Sequence, residues 1–255
     1  MGTVDVLDCA NLDSAIQSLA GLFGASESEF REKILKLEIN FDHDTLPPEA
    51  QIHAGLGFDD YTRLPVANRT KWFHGTRAQS GADFAEGLLP TREAFEHLLP
   101  TLGAIAKQWI SEGDWFDYVS GLDSSDRQYA RIVRKKRRQT IDRGPFAFLV
   151  RDLVVTADSM PQKPYQERGS EILELVCWDF EEVFGRPLLE KYLQSTRSCL
   201  VVFAEPKCEP HYVRAALTYV YYALHDLGFS IQCNTNFDGQ GVPVPPEWID
   251  RIEWL

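Results

Sequence analysis

A chain of 255 residues with 44% apolar and 25% charged residues holds enough apolar material for one large core or two small ones, which excludes a disordered chain. A formal charge of −12 argues against broad electrostatic adhesion to nucleic acid or an anionic membrane, though a local basic site fits such a chain. There is no apolar run of about 18 residues, and MGTVDVLDCANLDS lacks the pattern of a signal peptide. The expectation is a cytoplasmic protein with no membrane partner.

The first 50 residues read as helical. NLDSAIQSLAGLFG places Leu12, Ile16, Leu19 and Phe23 on one helical face and closes at Gly24. SESEFREKILKLEI opens with Ser26 and Glu29 at capping-box spacing, and NFDHDTLPPEAQ reads as a loop. From Thr70 the texture changes. TKWFHGT ends a strand, SGADFAEGLLP is a helix, and TREAFEHLLPTLGAIAKQWISEG is a helix broken or kinked at Pro100. DWFDYVSG reads as a strand, and LDSSDRQYARIVRKKRRQTIDRG as a helix ended at Gly144. PFAFLVRDLVVTA and EILELVCWDF are dense in β-formers and read as strands. SCLVVFAEP is a buried strand, HYVRAALTYVYYALHDLG a buried helix, and FSIQCNT and PEWIDRIEWL are the last strands. That order is α+β rather than a regular strand–helix alternation.

Several chemistries find no support. No Gly-x-Gly-x-x-Gly opens a helix, and there is no Walker loop, nucleophile elbow or His-Glu-x-x-His. Five scattered cysteines without a Cys-x-x-Cys suggest reduced core thiols, with no disulfide framework and no metal site.

Three segments carry possible chemistry. His74, Gly75 and Thr76 set an imidazole and a hydroxyl around a glycine, and a glycine in a strand often marks close approach of a ligand. The bland reading of His74 is a satisfied structural histidine. Tyr118 and Tyr129, eleven residues apart, are either core tyrosines or a clamp for a flat ring. Glu171, behind the turn residues Gly169 and Ser170, is either a solvated edge carboxylate or a group that stabilises positive charge on a sugar. The run RIVRKKRRQTIDR is a solvated helical face or a partner for phosphate.

Taken in chain order, the His-Gly-Thr triplet, the two tyrosines and the Ser-Glu pair resemble the ADP-ribosyltransferase superfamily in its His-Tyr-Glu branch, which includes diphtheria toxin and the poly-ADP-ribose polymerases. The resemblance spans roughly Lys71 to Val176 and is closest at WFHGTRAQSGADFAEGLLP. It implies two packed, mostly antiparallel sheets with an NAD cleft (residues 66–255) behind a helical N-terminal segment (residues 1–65).

It also implies roles. His74 would bond the adenosine ribose of NAD, Gly75 would read the nicotinamide carboxamide through its backbone, and Thr76 would lie beside the bound ribose. Tyr118 and Tyr129 would stack on the nicotinamide. Glu171 would hold the nicotinamide ribose and favour an oxocarbenium-like transition state, much as carboxylates do in glycosidic cleavage. NAD is then a substrate, and the acceptor is a macromolecule, a protein in preference to nucleic acid. The branch's usual company is toxins, effectors and defence proteins. The chain departs from the pattern at Arg127 and Gln128, and Glu167, Glu174 and Tyr165 compete for the assigned roles. An NAD glycohydrolase, an RNA 2′-phosphotransferase (for which Arg77 alone is thin support) and an inactive NAD-, ADP-ribose- or protein-binding module are the alternatives.

Overall fold

The computed structural model describes residues 4–42, 45–138, 143–155 and 167–255. Among them, the elements run β1 (Val6–Leu7), α1 (Leu12–Phe23), α2 (Glu27–Leu35), α3 (Pro48–Gly55), β2 (Arg69–Ala78), α4 (Thr91–Ala106), α5 (Glu112–Gly121), α6 (Gln128–Arg138), β3 (Phe146–Phe148) and α7 (Arg151–Val155). There follow α8 (Glu171–Phe184), α9 (Leu188–Ser195), β4 (Arg197–Glu205), α10 (Pro210–Leu224), β5 (Asn236–Asp238) and β6 (Ile249–Trp254). The strands form one six-stranded sheet in the order β5-β3-β2-β4-β6, with β1 pairing β2 off that path. β1 lies parallel to β2, and β3 lies antiparallel to it with Phe73 opposite Phe148.

The α+β class is as expected, but the described residues build one sheet instead of two. Two segments read as strands turn out to be helices, which removes the material for a second sheet. DWFDYVSG lies in α5, started by a capping box in which Ser111 accepts from the Asp114 N–H and the Asp114 carboxylate accepts from the Ser111 N–H. EILELVCWDF lies in α8, capped by the Ser170 hydroxyl on the Leu173 N–H and closed at left-handed Gly185. Its apolar residues Ile172, Leu173, Val176 and Phe180 follow a helical period, so burial on one face outweighs their β-propensity.

Other boundaries move as well. SGADFAEGLLP is a series of turns, with Phe84 at φ 51° and Gly87 at φ 79°. The loop after Asn40 gives way to α3, which begins at Pro48, where a missing N–H costs a helix nothing. α4 runs through Pro100 without a break. PFAFLVRDLVVTA divides into β3 and α7, and FSIQCNT yields a single 3-10 turn at Ile231–Cys233.

Contact density divides the chain into two units, Met1–His74 with Ala147–Met160 and Val202–Phe237, and Gly75–Phe146 with Pro161–Val201 and Asp238–Leu255. The boundaries fall inside β2, after His74, and inside β4, after Val201. Residues 1–65 lie wholly in the first unit. There α1, α2 and α3 pack on α10, and Trp72 is fully buried against Tyr212 and Phe237 with its indole N–H on Glu205 at 3.0 Å. The second unit has a helical core in which α4, α5, α6, α8 and α9 enclose Phe95, Leu102, Tyr118, Val133 and Phe180.

Candidate functional site

The triplet sits in the interior of β2 rather than at its end. Trp72 and Phe73, consecutive and therefore on opposite faces, are both fully buried, as befits a strand covered on both sides. From His74 to Ala78 the strand is half-buried. His74 closes its stretch of the first unit, and Gly75 and Thr76 open the second. Arg77, next along, is structural. Its guanidinium donates to the Leu193 and Thr196 carbonyls at 3.0 and 2.8 Å and to the Ser198 and Thr196 hydroxyls at 2.9 and 3.2 Å. These bonds fasten the end of α9 and the start of β4 to β2, which commits the one arginine offered for phosphotransfer chemistry.

The two tyrosines do not form a clamp. Tyr118 is 5% exposed, stands edge-on to Phe180 and Phe184 at 5.4 and 5.8 Å, and donates its hydroxyl to the Val176 carbonyl at 2.8 Å. Burial pushes its phenol far above the usual range. Tyr129 is half-buried on α6 and meets Trp178 at 5.7 Å. Residues 176, 180 and 184 share one face of α8, and residue 178 is turned about 120–160° from them. The rings therefore lie against different sides of α8, which stands between them, and do not face each other across a gap. The wide sequence spacing was compatible with facing rings, but the helix between them separates the rings.

Glu171 is the first residue of α8 instead of the head of a strand, because Ser170 caps a helix there. Its half-exposed carboxylate pairs with Lys136 at 2.7 Å. Glu171 and Trp178 lie seven residues apart on α8, and Tyr129 and Lys136 seven apart on α6, so both pairs recur on the seam where α6 packs on α8. The structure thus brings Tyr129 and Glu171 to one seam, about 10 Å apart along the helices, and leaves Tyr118 on the far side of α8.

Of the competing carboxylates, Glu167 is exposed. Glu174 is 9% exposed, one of its oxygens is buried without a hydrogen-bond partner, and Arg168 stands 3.9 Å from that oxygen. Burial raises its pKa, and the nearby Arg168 only partly offsets this. A buried carboxyl with a raised pKa is what acid–base chemistry selects. Glu174 follows Glu171 by one helical turn, so it shares that face of α8. The only sequence signal for it is an acid interrupting an apolar stripe, which is legible once the segment is taken as a helix. Tyr165 lies outside the described residues.

The chain matches no protein-family model, no curated protein and no solved structure.

Proposed function

We propose that this protein is an NAD-dependent ADP-ribosyltransferase that moves ADP-ribose from NAD to a macromolecular acceptor. The single observation carrying this reading is the seam that holds Tyr129 and Glu171 together, in the same unit as Gly75 and Thr76. In the proposed reaction the glycosidic C–N bond breaks, nicotinamide leaves with the bonding electrons, and an acceptor nucleophile closes on the anomeric carbon and sheds its proton. A carboxylate on α8 offsets the positive charge developing on the ribose. Glu171 takes that role if Lys136 yields to substrate, and Glu174 is the buried acid beside it. Tyr129 alone supplies the ring for nicotinamide, and the resemblance assigns the adenosine ribose to His74. The fold proposed with this function is a single-sheet relative of the ADP-ribosyltransferase-like fold, with β2 as the histidine strand.

A second reading, a module that binds NAD or ADP-ribose without turning it over, is favoured by one observation: Glu171 is already neutralised by Lys136. One experiment separates the two. Purified protein is incubated with adenylate-labelled NAD and a cell lysate, beside His74→Ala, Glu171→Ala and Glu174→Gln. The transferase reading expects label on a macromolecule, lost in His74→Ala and in at least one carboxylate variant. Release of free ADP-ribose alone would make it a glycohydrolase, and NAD binding without turnover would leave the module.

A further inference from the structure

Arg137, Arg138 and Arg143 of the basic run line a cavity that the reading above leaves unused. A space of about 500 Å³ in the second unit is lined by Arg92, Glu93, Asp123, Arg137, Arg138 and Arg143. That size is typical of small-molecule pockets. Its frame is fixed. The Thr91 N–H and hydroxyl donate to the Arg143 carbonyl at 2.8 and 3.0 Å, which ties the start of α4 to the segment before β3. Arg137 lies over the Phe95 ring at 4.7 Å and pairs with Asp123 and Glu96 at 2.8 and 2.9 Å, while its Nε is buried without a partner.

The other three arginines are the anomaly. Arg92, Arg138 and Arg143 are exposed and have no acidic partner within 4 Å among the described residues, on a chain with twelve more acids than bases. For Arg138, the C-terminus of α6 supplies a reason, since a helix favours cations there. Arg92 has the opposite setting. It lies in the first turn of α4, a 16-residue helix whose N-terminal end already carries positive potential. Three guanidinium groups and a helix N-terminus facing one space repel each other unless an anion lies between them. Asp123 cannot fill that role, because Arg137 holds it. The remaining lining carboxylate, Glu93, offers an acceptor for a hydroxyl group.

We propose that this cavity binds the phosphate or diphosphate group of a hydroxyl-bearing small molecule, a sugar phosphate or nucleotide, with Arg92, Arg138 and Arg143 on the phosphate oxygens and Glu93 on a hydroxyl. None of these residues belongs to the triplet, the tyrosines or the acids of α8. The site therefore stands or falls independently of the transferase reading.

Calorimetric titration at low ionic strength tests it with four probes: inorganic pyrophosphate, adenosine diphosphate, adenosine, and a ten-nucleotide single strand without terminal phosphates. Pyrophosphate and the diphosphate should bind saturably and weaken as salt is raised, and adenosine should not bind. Arg138→Gln combined with Arg143→Gln should weaken both by about tenfold or more, and exposed Arg186→Gln should leave both unchanged. Because the substituted arginines are exposed, thermal melts should show all variants folded. Wild-type protein that ignores pyrophosphate, or a double variant that binds as wild type does, overturns the proposal. Binding of the oligonucleotide alone also overturns it, in favour of a nucleic-acid surface.

Discussion

The buried carboxylate of Asp179 is held by a two-pronged contact from Arg127, at 3.1 and 2.8 Å, and by the Ala130 N–H at 3.2 Å. The partners are unequally placed: Asp179 has no exposure, and the Arg127 side chain retains 31%. Removing the arginine strands a charge away from water, and removing the acid leaves a cation that can turn outward. Arg127→Ala should therefore destabilise by about 3 kcal/mol and Asp179→Asn by clearly less, an asymmetry that urea titrations of both variants would measure. A second residue-scale prediction concerns Glu205, which accepts the Trp72 indole N–H. Burial raises its pKa despite that bond. A raised carboxyl binds more protons in the folded than in the unfolded state just above the ordinary carboxylate range, so its contribution to stability falls as pH rises through that window. Glu205→Gln keeps an acceptor for the indole and removes the titration. Its melting temperature should decline less than that of wild type between about pH 4 and pH 7.

At the scale of elements, the turn that replaces the expected helix at SGADFAEGLLP is governed by backbone geometry at Gly87. A methyl group there would lie 1.9 Å from the Val244 carbonyl oxygen, and the residue's φ of +79° already disfavours a side chain. Leu88 and Val244 exchange both backbone hydrogen bonds at this point, at 3.0 and 2.9 Å. Gly87→Ala must break that bridge or distort it and should lower stability by about 2 kcal/mol or more, read from denaturant midpoints. The helices tell a related story. The Ser26–Glu29 capping box was visible in the sequence and stands in the structure. The equivalent Ser111–Asp114 box and the Ser170 cap were equally present as letters, but aromatic and β-branched residues after them suggested strands. Caps are local and strand propensity depends on packing, so the caps were the better guide.

At the scale of the molecule, the N-terminal helices belong to a core and are not an appendage. Ile16, Leu19, Phe30, Ile34 and Ile52 are each at most 2% exposed. At about 2 kcal/mol per side chain, their loss removes about 10 kcal/mol, comparable to the whole stability of a domain. A chain lacking residues 1–65 should therefore lose the cooperative unfolding of the first unit, read as a circular-dichroism transition of clearly smaller amplitude than that of the full chain. Survival of a sharp transition in both units would show that the first 65 residues are dispensable to the core.

The sequence by itself determined the α+β class, the buried strand Arg197–Glu205, the buried helix Pro210–Leu224 and the capped N-terminal helices, because hydrophobic period and capping chemistry are written locally. It offered the triplet on β2 and the basic helix only as candidates for chemistry, each beside a plain structural reading. Which side chains share a surface was decided only by tertiary structure. Tyr118 and Tyr129 are eleven residues apart in the chain, yet α8 keeps them apart, and the same helix sets Tyr129 and Glu171 on one seam. Residue spacing gives the reach of a chain but not the rotation of the helix that carries it, and that rotation decides which side chains meet.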